Sequence, residues 1–352
     1  MILVSMNRYT VPANSARYHY SQESAVNESV ASISLAISPK DSIIINQDFR
    51  PELIKYDELY QTQIPNLSNS VPQSWLIFCE TVGKLKHLVS LDQLEIIEIG
   101  CGQGEFVDYL SALGISCIGY DPAMKKETDN KLRRQWTSSQ RADLFVMRCV
   151  LPHISNPFEF IDSINGKNMP PLIWVEFPNL DNIMEDKLWY SISHDHVNYF
   201  MPEDFQIRYE VLFSTTTTDK SWNIILFQKK SFSKLIDEEG HRRLKTKELQ
   251  NLLLERRLFE KKICENEREL VIWGGAGKGA VLAHALKLTG LEVVVVDIDQ
   301  WKQGRYLELS GVQVSPPSRL FKLKSKTKIL VSNPLHLSEV QKYVGHDRHV
   351  FD

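Results

Sequence analysis

The sequence predicts an α/β protein built from two units of parallel β-sheet and helices. In two places a short apolar run flows into a glycine-rich turn and then into a stretch with helical spacing: LEIIEIG before CGQG, and ELVIW before GGAGKG. More apolar runs follow both turns and alternate with helical stretches, as in strands joined by crossover helices. With 352 residues, of which 43% are hydrophobic, the chain is long enough for several cores.

The individual elements are predicted from spacing along the chain. The first seventy residues mix short apolar runs with polar breaks, which favours a small α+β domain. SWLIFCETVGKLKHL has helical spacing and precedes the first glycine turn. Further strands are predicted at ISCIGYD, ADLFVMRC, PLIWVEFP, LEVVVVDID and KILVSN, with a hairpin at YEVLFSTTTT and WNIILFQKK. The predicted divisions are an N-terminal domain over 1–70, a first unit over 71–231, an amphipathic helical linker over 232–267 and a second unit over 268–352.

Composition narrows the classes of partner. The formal net charge of -3 gives no basic excess, so we expect neither a nucleic-acid nor a membrane partner. The start of the chain lacks the basic segment of a signal peptide, and no apolar run approaches the roughly 20 residues that span a bilayer, so a cytoplasmic location is expected. The five cysteines are scattered and never form a C-x-x-C pair, which argues against a disulfide framework and a cysteine metal site.

The first glycine turn has the form E-x-G-x-G-x-G. Glu98 ends the preceding strand, and Gly100, Gly102 and Gly104 allow a tight turn with close backbone approach to a ligand. Asp121 ends the next strand, where it can accept hydrogen bonds from ribose hydroxyls. The form resembles the first motif of class I S-adenosylmethionine-dependent methyltransferases and differs from the dinucleotide pattern G-x-G-x-x-G. A purely structural connection is the alternative, which Asp121 makes weaker.

The second glycine turn, GGAGKG, has several interpretations. A P-loop is excluded because Gly279, not Ser or Thr, follows Lys278. Asp297 closes the next strand twenty residues after Gly277, so an NAD-dependent oxidoreductase stays open as an alternative function. The helix N-terminus and its lysine also suit a phosphate or diphosphate, and hence an anionic substrate.

The stretch SISHDHVNYF, residues 191–200, contains two histidines around an aspartate. On a strand, His194 and His196 would share one side and Asp195 would face the other, whereas a helix would splay the histidines apart. Spacing alone leaves a metal site, a proton-transfer site and packed core open.

Taken together, seven segments resemble the sugar C-methyltransferases that methylate nucleotide-linked keto-deoxysugars. They are YDELYQ, EIGCGQGEF, CVLPHI, WVEFPN, SHDHVNYF, GGAGKG and DIDQWKQGRYLELSGVQVSPP, and they cover most of the chain in order. The resemblance implies a small N-terminal domain, a central class I (Rossmann-like) methyltransferase domain and a C-terminal Rossmann-like domain that binds the nucleotide-sugar. It also implies S-adenosyl-L-methionine as cofactor and a small-molecule acceptor.

The resemblance further implies a mechanism in which a carbon beside a ketone is deprotonated and the enolate attacks the sulfonium methyl group. His196 matches the general base and Asp195 the adjacent acidic residue, with His194 in their setting. Histidine suits this role because its pKa lies near neutrality. The remaining assignments are His153 as a further active-site histidine, Tyr60 as a substrate-contacting tyrosine, and Gly277, Lys278, Ser193 and Arg305 as substrate-binding residues.

Three departures from the family pattern stand out. The N-terminal zinc ligands are missing, and SPKD at 38–41 occupies the place of a C-x-x-C. Ser193 stands where the family has a tyrosine, and residues 218–221 replace a family H-G-G-S stretch. No metal is therefore expected, and a diverged binding protein of the same fold remains a further alternative.

Overall fold

The computed structural model of the protein describes residues 9–61, 71–84, 94–125, 127, 131–167, 170–231, 239–345 and 348–351. The end of the predicted helix SWLIFCETVGKLKHL and the start of the predicted linker at 232–238 lie outside these residues. The N-terminal part contains β1 (Tyr9–Pro12), β2 (Tyr18–His19), α1 (Gln22–Val26), β3 (Val30–Ile33), β4 (Leu35–Ile37) and β5 (Ile44–Asn46).

The central part carries the largest sheet. Its elements are α2 (Gln73–Lys84), β6 (Ile96–Ile99), α3 (Glu105–Ala112), β7 (Cys117–Tyr120), β8 (Leu132–Arg133), β9 (Arg141–Ala142), β10 (Leu144–Arg148), α4 (Pro157–Ser163), β11 (Asn165–Gly166), β12 (Leu172–Pro178), α5 (Leu180–Glu185), β13 (Asn198–Tyr199), α6 (Pro202–Gln206), β14 (Tyr209–Thr216) and β15 (Trp222–Ser231). Seven of these strands form one sheet in the order β14-β15-β12-β10-β6-β7-β8. Only β15 runs antiparallel to its neighbours, as the predicted terminal hairpin requires.

The central strands are mostly apolar because helices cover both faces of the sheet. In β10, Phe145 and Met147 pack into the core on one face, and Leu144 and Val146 pack into the core on the other. All four side chains are fully buried. The predicted doubly wound α/β unit is confirmed, and its parallel strands end at the edge where the first glycine turn lies.

The C-terminal part is a second parallel sheet. Its elements are α7 (Glu239–Asn266), β16 (Glu269–Trp273), α8 (Lys278–Leu288), β17 (Glu292–Val296), β18 (Tyr306–Leu307), β19 (Val314–Ser315), β20 (Lys328–Val331), α9 (Leu337–Val344) and β21 (Val350–Phe351). The five-stranded sheet has the order β19-β17-β16-β20-β21, and its strand pairs are all parallel. Short 3-10 helices lie at Pro51–Leu53, Leu151–His153, Trp189–Ser191, Pro317–Lys322 and Pro334–His336. None of the helices in the described residues is long and apolar enough to cross a membrane.

The N-terminal strands pair with both larger units. β5 pairs with β13 of the central part, and β2 pairs with β18 of the C-terminal part. Strands of two to four residues cannot bury a core of their own, so they share one with their neighbours. Val11 and Ile33 accordingly pack in the same cluster as Leu282 of α8.

A buried ion-pair cluster around Arg17 fixes this arrangement. Its guanidinium contacts Asp57 at 2.7 Å, Glu28 at 2.5 Å and Glu308 of the C-terminal part at 3.7 Å. Arg17 is 7% exposed and Glu308 is 1% exposed. Because carboxylates need a cation when water is excluded, Arg17 ties the N-terminal strands to the C-terminal unit.

Replacing Arg17 therefore tests how much the cluster stabilises the fold. In Arg17→Ala the buried Glu308 loses its nearest cation, and the free energy of unfolding in urea is expected to fall by about 3 kcal/mol. Arg50→Ala is the matched control, because Arg50 and Glu52 form an exposed pair at 2.8 Å. It should change stability by less than about 1 kcal/mol. Equal effects of the two variants would contradict the assigned role of Arg17.

Candidate active site

The first glycine turn connects β6 to α3 in a conformation that needs glycine. Gly100, Gly102 and Gly104 have φ of 74°, 62° and 97°, a region that side chains with a Cβ rarely adopt. A Cβ on Gly104 would come within 2.5 Å of Leu132 Cδ2. The predicted glycine loop thus lies at the end of the central strands, with Gly100 partly exposed and Gly102 and Gly104 buried.

Asp121 closes this loop from the next strand. Its Oδ2 accepts the Gly102 N–H at 2.9 Å and its Oδ1 accepts the Ala123 N–H at 2.8 Å. Burial raises the pKa of Asp121, although these two N–H donors oppose the rise. The carboxylate therefore holds the loop in shape and lies at its edge, where a ribose would be bound.

Glu98 lies below the loop and is held by an arginine that sequence reasoning did not select. Arg148, at the end of β10, contacts Glu98 Oε1 through Nε at 2.7 Å and through Nη2 at 2.6 Å. Burial raises the pKa of Glu98 to about 7, against the effect of Arg148. Glu176 lies opposite Arg148 on β12. Charged residues inside otherwise apolar strands were the signal that could have found this cluster.

The histidine stretch forms neither a strand nor a helix at 194–196, which is a turn between the Trp189–Ser191 helix and β13. His194 faces the N-terminal strands: its Nε2 accepts the Arg50 N–H at 3.2 Å, and its Nδ1 donates to the Ser32 carbonyl at 3.0 Å. Both ring nitrogens are therefore engaged. The structure places His194 as a link to the N-terminal strands, in surroundings different from those of His196.

His196 and His153 come together, as the resemblance implies. Their ring centroids are 4.7 Å apart, with the rings nearly perpendicular. His153 Nδ1 donates to the Asp195 carbonyl oxygen at 2.6 Å, which fixes the orientation of the ring. No described residue hydrogen-bonds a ring nitrogen of His196. Burial, with the neighbouring His153, lowers the pKa of His196, so its ring is neutral and able to accept a proton.

The Asp195 carboxylate does not contact the His196 ring through a hydrogen bond. Instead it accepts from the Ser193 hydroxyl at 2.6 Å and from the Ser15 hydroxyl at 3.0 Å. Burial alone would raise the pKa of Asp195, but the two histidines and the two hydroxyls hold it below its usual value. Asp195 is therefore a fixed negative charge that supports a positive charge on His196.

Tyr60 lies between the glycine loop and the histidine turn. It is 8% exposed, and burial raises its pKa, with further contributions from Asp195 and Asp121. The centroid of its ring is 5.0 Å from that of Tyr56. Burial raises the pKa of Tyr56 too, and the same two carboxylates add to the rise. The predicted substrate-contacting tyrosine is thus within electrostatic reach of both halves of the candidate site.

A family model described as a methyltransferase domain matches residues 71–207. Residues 71–207 are a methyltransferase domain. The predicted class I fold and enzyme class are confirmed, and the cofactor of the methyltransferase is S-adenosyl-L-methionine. Below we call this segment the methyltransferase domain.

Three solved structures give weaker similarity. A protein from Pyrococcus horikoshii OT3 is 12% identical, covers 46% of this chain and 93% of its own, and has a TM-score of 0.32. Magnesium protoporphyrin IX methyltransferase from Synechocystis PCC 6803 is 14% identical, covers 45% of this chain and 84% of its own, and has a TM-score of 0.33. A methyltransferase from Anabaena variabilis is 18% identical, covers 47% of this chain and 90% of its own, and has a TM-score of 0.31. Scores at this level carry no argument about this chain. No curated protein matches it.

The second glycine turn lies against the N-terminal segment. Gly277, with φ of 46°, donates its N–H to the Ser15 carbonyl at 3.0 Å. The Gly275 carbonyl accepts from the Tyr18 hydroxyl at 3.1 Å. Protein groups therefore occupy part of the backbone that a phosphate would otherwise contact.

Asp297 is equally occupied. Its Oδ2 accepts the Gly275 N–H at 2.8 Å and pairs with Lys302 at 3.2 Å. Its Oδ1 accepts the Asp299 N–H at 2.9 Å. Asp121 also accepts two backbone N–H groups, but Asp297 in addition pairs with Lys302, so the geometry does not favour its use for the ribose that the oxidoreductase alternative requires.

Two cations on the C-terminal unit are the candidates for binding an anion. Burial lowers the pKa of Lys278 to about 8, and within the described residues this lysine has no hydrogen-bond or ion-pair partner. Arg305 stacks on Trp301 at 3.9 Å and on Tyr20 at 4.3 Å. Lys125, four residues after Asp121, also lies over Trp301 at 4.5 Å. The predicted residues Lys278 and Arg305 thus lie on the unit that faces the methyltransferase domain.

No group of three or more His, Cys, Asp or Glu that could hold a metal ion occurs in the part of the chain that the structure describes. His153 and His196 have only Asp195 as an acidic neighbour in the turn, and its oxygens are taken by hydroxyls. A proton-transfer role for the two histidines stays a prediction.

Replacing Asp121 tests the cofactor site. Asp121→Ala removes the acceptor for a ribose and frees the Gly102 and Ala123 N–H groups, so affinity for S-adenosylmethionine is expected to fall at least about tenfold. Isothermal titration calorimetry measures the change. Asp108→Ala is the control, because Asp108 is an exposed carboxylate on α3 close to the same loop. Unchanged affinity in Asp121→Ala would remove Asp121 from the cofactor site.

Proposed function

We propose that this methyltransferase methylates a carbon next to a ketone in a nucleotide-linked deoxysugar or a related natural-product intermediate. The observation that carries the proposal is the pair of His196 and His153, whose ring centroids lie 4.7 Å apart beside Asp195, together with the lowered pKa values of His196 and Asp195. Carbon methylation needs a base to form the nucleophile, because a C–H group has no lone pair. A histidine held neutral beside a fixed carboxylate supplies that base.

The glycine loop fits the cofactor. Its three glycines leave the backbone open, and Asp121 lies at its edge. When bound, S-adenosylmethionine supplies an electrophilic methyl group on a sulfonium sulfur. Tyr60, influenced by both Asp121 and Asp195, links this loop to the histidine turn.

Three residues of the chain then have separate roles in the reaction. His196 accepts the proton from the carbon beside the ketone, and the electron pair of that C–H bond forms the enolate. Asp195 stabilises the positive charge that develops on His196, and the phenol of Tyr60 is placed to donate to the substrate. The enolate carbon bonds to the methyl group as the carbon–sulfur bond breaks.

The substrate class is supported by the second unit. Lys278 and Arg305 offer positive charge for a diphosphate, and Trp301 offers an aromatic face. Ser193, in place of the family tyrosine, is committed to Asp195 and brings no phenol to the substrate. We infer that the acceptor, or its pose, differs from the family norm at this position.

The base is tested with His196→Ala. Methyl transfer to a nucleotide-linked 4-keto-deoxysugar is expected to fall at least about a hundredfold, with S-adenosylmethionine affinity retained. Exchange of the substrate carbon proton in deuterated water should be lost in parallel. His336→Ala, on the surface of the C-terminal unit, is the control. If the unmodified protein methylated no such sugar, the proposed acceptor class would be wrong. If His196→Ala turned over as fast as the unmodified protein, His196 would be excluded as the base.

The acid limb of the pH profile gives an independent check. The reaction requires neutral His196, and burial lowers the pKa of this ring, so activity is lost only as the pH falls through that lowered value. The acid limb of kcat/KM is expected below about 6.5, the ordinary value for histidine. In His153→Gln the acid limb should move to higher pH. The substitution removes the His153 ring, which lowers the pKa of His196. A wild-type limb above pH 7 would contradict this assignment.

A further inference from the structure

Ser15, in the N-terminal part, touches both halves of the candidate site. Its hydroxyl donates to Asp195 Oδ2 at 3.0 Å, and its backbone carbonyl accepts the Gly277 N–H of the second glycine turn at 3.0 Å. Ser15 is 7% exposed and Asp195 is 3% exposed. One residue thus joins the loop at the start of α8 to the carboxylate beside His196.

We propose that Ser15 is a positioning residue for the Asp195–His196 pair, and that its own position is set by the second glycine turn. The inference rests on the proposed function only where turnover is measured. The hydroxyl acts through Asp195 and has no contact with His196.

The carboxylate of Asp195 is stabilised by the two neighbouring histidines and by two hydroxyl groups. The groups that face it are His153 and His196, whose positive forms would favour its charge, and Tyr56 and Tyr60, whose pKa values it raises. Both tyrosines are neutral near pH 7, and so is His196, because burial lowers its pKa. The hydroxyls of Ser15 and Ser193 therefore supply its only charge-assisted hydrogen bonds from side chains among the described residues, one to each oxygen.

The backbone around Ser15 is held on the C-terminal unit. The neighbouring Asn14 donates its N–H to Glu308 at 3.0 Å, and the Tyr18 hydroxyl donates to the Gly275 carbonyl at 3.1 Å. A change at Gly277 should therefore move the Ser15 hydroxyl relative to Asp195. This gives the second glycine turn an effect on the base that does not require direct contact.

The first test compares Ser15→Ala with Ser15→Thr. The alanine variant is expected to lose about tenfold or more in kcat, with the affinity for S-adenosylmethionine unchanged, because a hydrogen bond to a charged group is lost. Ser15→Thr keeps a hydroxyl and should recover most of kcat. Ser34→Ala is the matched control, since the Ser34 hydroxyl accepts an exposed hydrogen bond from Gln47 Nε2 at 3.0 Å.

A second measurement does not depend on finding the substrate. The carboxyl carbon resonance of Asp195, identified by its loss in Asp195→Asn, should stay that of a carboxylate in wild-type protein down to about pH 4. In Ser15→Ala its pKa should rise by about one pH unit or more, and in Ser15→Thr it should return towards wild type.

The role of the glycine turn is tested by Gly277→Ala. Gly277 has φ of 46°, so alanine strains the turn although nothing lies within 4 Å of the added Cβ. The Asp195 pKa should rise with the Ser15 hydroxyl still present. Gly290→Ala is the control, as Gly290 also has positive φ and free space. An unchanged Asp195 titration in Ser15→Ala would overturn the proposal, whereas lack of sugar methylation with the expected titrations would overturn the proposed function alone.

Discussion

The ionised carboxylate of Asp195 is the constraint on which the candidate site depends. A buried charge is costly unless hydrogen bonds replace its water, and here the hydroxyls of Ser193 and Ser15 provide them. Ser193 belongs to the same turn, but Ser15 lies 180 residues away in the sequence. The N-terminal segment therefore supplies one of the two hydroxyl groups that stabilise the charge of Asp195. The same segment places Tyr60 beside the turn, so the carboxylate and the tyrosine are assembled together.

The two Rossmann-like units share one hydrogen-bonding pattern between a glycine loop and an aspartate, but they differ in the charge around that aspartate. In each, the aspartate at the end of the second strand accepts an N–H from the glycine loop and another from the residue two positions later. In the methyltransferase domain no lysine contacts that aspartate in the described residues. In the C-terminal unit Lys302 neutralises Asp297. A similar spacing of glycines and aspartate thus leaves the carboxylate without a lysine partner in the first unit and forms a structural ion pair in the second.

Much of the fold could be predicted from the sequence because its signals are local. The strands at LEIIEIG and ADLFVMRC are apolar runs buried on both faces, and the glycines before α3 take the positive φ that their spacing indicated. The candidate site was less accessible. His194 and His196 lie in a turn, which has no side-chain period, so neither strand nor helix reasoning could orient them. The assignment of His153 and His196 to one site came from family resemblance, whereas the contact of Ser15 with Asp195 is tertiary and had no local signal.

The N-terminal part shows how a segment without metal ligands can still be fixed in place. Its short strands complete sheets of both other units, and Arg17 gathers Glu28, Asp57 and Glu308 around one buried cation. The Arg17 backbone also bridges to that of Tyr60. An ion-pair cluster of this kind gives orientation at a desolvation cost, while a local metal site would leave the C-terminal unit unattached. The consequence is that stability and the geometry of the site share residues: loosening Arg17 releases the strand next to Ser15 and the tyrosine next to Asp195 in one step.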